Sequence, residues 1–463
     1  MTAPGEHDCD VVILGGGPAG YSCALRASQL GLSVTLVEAD KLGGTCLHRG
    51  CIPTKALLHA AEIADLTRMA STVGVSAHFA GIDVDTLCSY RDAVVDRMHT
   101  GLVGLIHQHK INVVAGHGTY LGGRTVQVGK TRYTGRSLVL ATGSDPRIPS
   151  AMELTDRIIT SDQALELQII PKRVVVVGGG AIGVEFASVW ASFDAEVTIV
   201  EALPSLLPTE DPWVSKQLQR ALTKRGISVR TNTEIASATD RTDGITVELP
   251  GGEIVGADVM LIATGRAPRT GGAGLSEHGI ALENGFVVTD DKLATSVPGV
   301  YAVGDIVRGL QLAHRGFGHG TFVAEQLAGL APVPPSDDVV PRVVYSHPEV
   351  AAVGFTEAAV RERFGSATVA VYDLSGNAKS QILGTTGGVK VVRAGEKADD
   401  GPVLGVHMIG AHVSELIGEA QLAVGWEALA SEVGRFAHAH PTQHEALGEA
   451  MLALSGKPLH AHG

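Results

Sequence analysis

The residues best equipped for chemistry are Cys46 and Cys51, five positions apart in GGTCLHRGCIPTKALLHAAE (43–62), between a glycine pair and an apolar helical run. In a regular α-helix, positions i and i+5 have Cα atoms about 8.7 Å apart from the standard rise and radius. A disulfide needs less than about 7 Å. If the two bridge, the segment between them cannot be regular helix, and Gly50 and Pro53 suit a distorted helix start near Cys51. A metal site and two unpaired thiols are the alternatives. The metal reading lacks a second cysteine pair, with His48 a lone extra ligand, so no metal is expected.

Lys55 follows Cys51 by four residues, on the same helical face. A cation there lowers a thiol pKa and can sit beside a bound cofactor; a solvated lysine is the plain alternative. Glu185 lies in the apolar GVEFASVWASF, where burial leaves a carboxylate in need of a partner. A Lys55–Glu185 ion pair is expected, the alternative being stabilisation of Glu185 by its helix dipole alone.

The elements that must position these groups recur. DVVILGGGPAG (10–20) and RVVVVGGGAIG (173–183) are each a buried β-run ending in GxGxxG and opening a helix. Each leads to a second strand ending in an acid, Glu38 or Glu201, 23 residues beyond Gly15 or Gly178. Such loops turn on the first glycine (Gly15, Gly178), let the backbone approach a pyrophosphate at the second (Gly17, Gly180) and pack helix on strand at the third (Gly20, Gly183). The helix start then offers N–H groups and a positive dipole end to phosphate, and the acid accepts from ribose hydroxyls. Each unit closes with an ATG strand, SLVLATGSDPRIP or DVMLIATGRAPRT. Glu38 to Ala141 spans 103 residues and Glu201 to Ala263 only 62, so the first unit carries 41 more, beginning with the cysteine segment. With two nucleotide fingerprints present, a redox disulfide leads over two unpaired thiols.

The remainder sets limits. At 463 residues, two to four domains are expected. A net charge of −13 with no basic block argues against nucleic-acid binding. No run of 18 apolar residues suggests a membrane span, and MTAPGEHDCDVVILGGG lacks the regions of a secretory signal. The five cysteines, Cys9, Cys23, Cys46, Cys51 and Cys88, crowd the first fifth of the chain and cannot staple a secreted fold. A cytoplasmic protein is expected. The Pro-rich LAPVPPSDDVVP (330–341) marks a linker. Beyond it, alternating runs such as ATVAVYDL and GVKVV, then helices, read as a third, α+β domain.

Together these residues resemble the flavin-dependent pyridine nucleotide–disulfide oxidoreductases, and among them the members that oxidise dihydrolipoamide. The resemblance runs from Asp10 to about Leu454. It implies two Rossmann-like domains and a C-terminal α+β dimerisation domain: 1–149 for FAD with the inserted redox helix, 150–269 for NAD, 270–335 completing the FAD site, and 336–463 for dimerisation. It implies tight, non-covalent FAD on Gly15, Gly17, Gly20 and Glu38, with Gly118 near the adenine. Thr142, Gly143 and Ser144 end the first ATG strand in this site, Asp305 takes the ribityl chain, and Gln311, Leu312, Ala313 and His314 present a helix start to the flavin pyrimidine, with Lys55 and Glu185 beside the ring. NAD+/NADH would occupy Gly178, Gly180, Gly183 and Glu201, lined by Ile235 and Gly265. Glu201 favours NAD over NADP, because a 2′-phosphate would meet a carboxylate and no Lys or Arg follows until Lys216. In HAHPTQHEAL (438–447), His440 becomes the acid/base and Glu445 its orienting partner, supplied across a homodimer to Cys46 and Cys51. His438 has no matched role, and His460 and His462 would lie in an unstructured tail.

The expected activity is FAD-dependent oxidation of protein-bound dihydrolipoamide with NAD+ reduction, with lipoyl-bearing proteins of 2-oxo acid dehydrogenase or glycine cleavage complexes as partners. Reduction of mycothione or glutathione by NAD(P)H is the alternative, as is a flavin-binding assembly subunit without disulfide turnover. Three stretches depart from the family pattern: Leu47-His48-Arg49 between the cysteines, Arg315-Gly316, and Gln443-His444.

Overall fold

The computed structural model describes residues 6–396 and 401–460. It forms two compact units, Met1–Ala56 with Asp85–Arg147 and Gly265–Asp337, and Leu57–Val84 with Ile148–Thr264 and Asp338–Gly463.

In the first unit, β1 (Glu6–Leu14), α1 (Pro18–Gln29) and β2 (Val34–Glu38) form the first β-α-β turn. The inserted length follows as helices: α2 (Gly44–Arg49), α3 (Cys51–Met69), which continues into the second unit's residues, and α4 (Val84–Gln108). Then come β3 (Asn112–Ala115), β4 (Gly118–Tyr120), β5 (Thr125–Val128) and β6 (Thr131–Leu140). The sheet order is β3-β2-β1-β6-β5-β4, with strand Val300–Ala302 added in parallel on β6. Val12 stands opposite Thr35 on one side and Leu138 on the other, both in parallel register. Val11 to Leu14 are all buried, as a parallel strand covered on both faces requires. Pro18 at the first helical position presets the entry of α1. Helix Ala313–Leu327 packs closely on α1 because a Cβ on Gly320 would stand 2.2 Å from the Ala19 carbonyl oxygen. β7 (Ser144–Pro146) pairs antiparallel with Arg266–Pro268.

The second unit repeats the plan without the insertion: β8 (Ile158–Thr160), α5 (Ser161–Glu166), β9 (Arg173–Val177), α6 (Ala181–Ser192), β10 (Glu196–Val200), α7 (Pro212–Lys224) and β11 (Ser228–Arg230). The order is β11-β10-β9-(Val259–Ile262)-β8, parallel throughout, beside a three-stranded antiparallel sheet, Ser237–Ala257. The C-terminal part is a five-stranded antiparallel sheet packed against helices Val413–Gly425 and Glu445–Leu454. The expected fold class is therefore observed.

Strand Gly388–Ala394 is buried along nearly its whole length rather than on alternate residues. Its Lys390 survives burial because Nζ donates to both Asp211 oxygens at 2.9 and 3.0 Å and to Glu357 at 2.8 Å. One expectation needs correcting. His460 is docked, its N–H and Nδ1 on the two Glu449 carboxylate oxygens at 2.9 and 2.8 Å, because a buried acid at that helix face needs partners. His462 lies outside the described residues.

Candidate functional site

The two glycine loops superimpose in their chemistry. Gly15 and Gly178 both have φ +108°, and a Cβ would stand 2.2 Å from the Ala141 oxygen or 2.4 Å from the Ala263 oxygen. On Gly20 and Gly183 it would strike the Gly15 or Gly178 oxygen at 1.8 or 2.0 Å. These four glycines are required by the protein's own packing. The middle pair differs. Gly17 and Gly180 have φ −71° and −75°, open to any residue. A Cβ on Gly17 would meet nothing nearer than 3.8 Å, and one on Gly180 nothing within 4 Å. Nothing in the chain demands glycine there, whereas a pyrophosphate lying against the backbone does. Neither helix start carries a side-chain cap, so its first N–H groups remain for an anion.

Glu38 and Glu201 are held alike. Gly16 N–H donates to Glu38 Oε2 and Gly179 N–H to Glu201 Oε2, both at 2.6 Å; Asp40 and Leu203 N–H donate to the other oxygens at 2.8 and 2.7 Å. Each carboxylate is aimed by backbone and keeps lone pairs for ribose hydroxyls. The residues fit two dinucleotides.

In the first unit, the helix break expected between the cysteines is present. α2 ends at Arg49, Gly50 leaves helical conformation at φ −148°, ψ −115°, and α3 begins at Cys51. Thr54 Oγ1 donates to the Gly50 carbonyl at 2.7 Å and seals the break. The cysteines stand as thiols, side chain hydrogen-bonded to side chain. The Cys46 thiol is pushed up, first by that hydrogen bond to Cys51 and then by burial, with the Lys55 charge acting against both. His48 fastens the turn: its Nε2 lies 2.9 Å from the Leu42 carbonyl oxygen, and its ring meets His99 of α4 edge-on at 5.0 Å. Arg49 pairs with Asp40 at 3.0 Å.

Asp305 stands on a 3-10 turn, Gly304–Ile306, where its Oδ2 accepts from Ser144 Oγ at 2.6 Å. Arg266, which the sequence did not single out, donates to Ser144 Oγ at 2.7 Å and to its carbonyl oxygen at 2.6 Å. His319 was missed too. Its Nδ1 accepts from Gly304 N–H at 3.4 Å, and burial, aided by the Arg315 charge, pushes its pKa down to about 4, so it stays neutral. Buried Arg315 donates to Asp337 at 2.6 Å and to the Arg308 carbonyl at 2.7 Å, fixing the loop before helix Ala313–Leu327. Gly316 lets that helix lie against Ala19, where a Cβ on residue 316 would stand 3.3 Å from the Ala19 Cβ. The departure at Arg315-Gly316 is thus packing. Leu312 opens the helix without a side-chain cap, and Gln311 Nε2 donates to the Asp305 carbonyl at 3.4 Å. Thr142 Oγ1 donates to the Arg269 carbonyl at 2.6 Å, and Gly143 O accepts the Arg269 N–H at 2.8 Å. Gly118 is glycine because a Cβ would meet Leu14, Val126 and Val37 within 2.9 Å. Gly265 has φ +105°.

In the second unit, Glu185 is buried as expected, on α6, its Oε1 accepting the Tyr345 N–H at 3.0 Å. Ile235 packs on the core that includes Val175 and Val177. His440 Nδ1 meets Glu445 Oε1 at 2.8 Å, while Thr442 N–H donates to Oε2 at 2.8 Å. Asn377 Nδ2 holds the Thr442 carbonyl at 2.9 Å. Burial works to raise the Glu445 pKa, but the Thr442 N–H and the His440 ring outweigh it and hold the carboxylate below its usual range. The His440 side chain is 72 % exposed, so its far nitrogen faces outward. His438 instead turns inward, with Nε2 2.9 Å from Glu419 and its ring against Gly448. Gln443 is buried against Ser380 at 3.5 Å.

A glycine loop with a backbone-aimed acid, used twice, and a dithiol set in a helix break define a nucleotide-dependent oxidoreductase acting on disulfides. Residues 9–320 match the family described as pyridine nucleotide-disulphide oxidoreductase, and residues 340–451 match the dimerisation domain of that family. The chain belongs to the pyridine nucleotide-disulphide oxidoreductases. It is 38% identical to a dihydrolipoyl dehydrogenase of Bacillus subtilis, across 97% of this chain and 99% of that protein. It is 39% identical to a dihydrolipoyl dehydrogenase of Thermus scotoductus, across 97% and 98%. Among solved structures it is similar to LpdA of Mycobacterium tuberculosis, with a TM-score of 0.89 at 26% identity, covering 96% of this chain and 99% of that one. Among the described residues, no helix is long and apolar enough to cross a membrane.

Proposed function

We propose that the chain is an FAD- and NAD-dependent dihydrolipoyl dehydrogenase, a homodimer in the cytoplasm that reoxidises lipoyl groups of 2-oxo acid dehydrogenase or glycine cleavage complexes. The dithiol of Cys46 and Cys51 in its helix break carries this reading. FAD would be held by Gly15, Gly17, Gly20 and Glu38, with Ser144, Asp305 and the start of helix Ala313–Leu327 along it, and Lys55 and Glu185 beside the ring. NAD+ would be held by Gly178, Gly180, Gly183 and Glu201. FAD held there would supply the two-electron chemistry that links the cysteine pair to NAD+.

The protein's own steps follow. His440 of the partner subunit, oriented by Glu445 through Nδ1, takes a proton from one substrate thiol at Nε2. With the pair in its oxidised, disulfide form, the thiolate formed attacks Cys46, making a substrate–Cys46 bond and breaking Cys46–Cys51, with Cys51 leaving as thiolate near the Lys55 charge. The second substrate thiol closes the lipoyl disulfide and releases Cys46. Glu201 excludes a 2′-phosphate by charge.

The test is to assay the purified yellow protein with dihydrolipoamide and with mycothione, under both nicotinamides. Turnover of dihydrolipoamide with NAD+ is expected. A colourless protein that takes up no flavin, or one that turns over only mycothione, sinks the reading.

A further inference from the structure

The first unit gathers two chain segments at the C-terminal edge of its parallel strands. β6 leads into residues 142–144, and the strand added on it, Val300–Ala302, leads into the 3-10 turn Gly304–Ile306. In open parallel sheets this edge is where ligands lie. The turn also reaches the first glycine loop. Gly304 has φ +72°, and a Cβ there would stand 2.9 Å from the Ala19 Cβ, on the first turn of α1. Asp305 therefore stands beside the loop whose open backbone suits a pyrophosphate. Its Oδ2 accepts from the Ser144 hydroxyl at 2.6 Å. A serine hydroxyl carries one proton on a rotor that turns freely unless something holds it. Arg266 holds it. Its Nε donates to Ser144 Oγ at 2.7 Å, and its Nη2 donates to the Ser144 carbonyl oxygen at 2.6 Å. An oxygen that accepts from a guanidinium has to send its own proton elsewhere, and Asp305 receives it. Arg266 is itself kept in place by its strand, which pairs antiparallel with β7 so that Pro268 faces Ser144.

We propose that Arg266 is a positioning residue of the FAD site, locking the Ser144 hydroxyl onto Asp305 and so fixing the carboxylate that receives the ribityl chain. The inference rests on the FAD reading above. Arg266 needs no contact with the cofactor, because it acts through Ser144. Its planar fork gives one donor to the hydroxyl and one to the carbonyl of the same residue, a pairing that a lysine cannot reproduce. The hydroxyl bond onto a carboxylate is charge-assisted, about twice as strong as a neutral one. A carboxylate held before the ligand arrives loses no rotamer freedom on binding, so the hydrogen bonds it makes count fully toward affinity.

The test follows FAD leaving the purified full-length holoprotein. Free flavin is separated by ultrafiltration at each step of a serial dilution, which gives the FAD dissociation constant without reference to turnover. Arg266→Lys keeps the charge and loses the fork; Ser144→Ala removes the hydroxyl that carries the contact. Each is expected to weaken FAD about tenfold, the loss of one hydrogen bond at a charged group. The double variant is expected to be no more than about tenfold weaker, because both changes break one relay, whereas independent losses would multiply to about a hundredfold. Unchanged FAD affinity in either single variant overturns the proposal. So do losses that multiply in the double variant, which mark two separate packing roles. If Arg266→Lys does not fold, Ser144→Ala still decides: unchanged affinity in it overturns the proposal, since the relay runs through that hydroxyl. Wild-type protein that takes up no FAD overturns the cofactor reading itself, a result seen before any variant is compared.

Discussion

The two glycine loops differ far less than the chain that follows them. Both aim a glutamate with two backbone N–H groups, both demand glycine at the first and third positions for their own packing, and both leave the second position free. Each is closed by a later residue returning to the loop: Gly43 N–H donates to the Gly16 carbonyl, and Leu207 N–H to the Gly179 carbonyl, both at 2.9 Å. After Gly43 the first unit starts α2, the helix break and the dithiol; after Leu207 the second starts a turn into α7. The nucleotide frame is a constant of backbone geometry. The chemistry is added by what is spliced in after it.

The sharpest way to break the comparison is to remove the added part. Cys46→Ser and Cys51→Ser should each abolish dihydrolipoamide oxidation, since neither the mixed disulfide nor the released thiolate can form. NADH oxidation by a small dye should survive in both, because the loops are untouched. If the dye reaction is lost as well, the two parts are not separable.

His440→Ala comes next. It should lower the thiol half-reaction by roughly 10²–10⁴-fold, the range for a lost general acid/base. Mixed dimers of His440→Ala with Cys46→Ser should recover one working site per dimer. Verified mixed dimers without activity would show that His440 does not act across the interface.

The middle glycines compare the loops with each other. Gly17→Ala and Gly180→Ala both have room and ordinary φ values, so both proteins should fold with near wild-type melting temperatures. Gly180→Ala should remain yellow and lose NAD use by about tenfold or more, the cost of about 1.4 kcal/mol of lost approach. Gly17→Ala should instead be poor in flavin. Retention of both cofactors in both variants would mean the open backbone is not where the pyrophosphates lie.

Glu201 gives a smaller effect: NAD should be preferred over NADP by about tenfold in kcat/KM, a gap of about 1.4 kcal/mol that Glu201→Ala narrows. Equal use of both nicotinamides by the wild type rejects the assignment. The smallest effect is in pH. The Glu445 carboxyl is lowered in the folded protein, so its support of His440 is complete above the ordinary carboxylate pKa, about 4.3. That support is lost only as pH falls through the lower, folded value. Following the His440 ring by NMR should show no Glu445-linked transition above that range.

The loops, the acids and the cysteine spacing were legible because each is local: strand, turn and helix lie within 30 residues, and helix geometry alone requires a break if Cys46 and Cys51 are to meet. Arg266 and His319 were not legible. Each works on groups that are neighbours only after folding, Arg266 on Ser144 and His319 on the Gly304 amide beside Asp305. His438 and His440 show the same limit at close range, two residues apart, one turned in to Glu419 and one turned out.

From the sequence by itself came two dinucleotide folds, the insertion in the first and the candidate redox pair, since hydrophobic runs and glycine spacing encode short-range backbone geometry. The tertiary structure alone decided that the Cys46 thiol is pushed up by its neighbour and by burial, and that Lys390 and Arg315 are buried with carboxylate partners. Burial and charge at a side chain are sums over neighbours brought from distant positions, and no local pattern carries that sum.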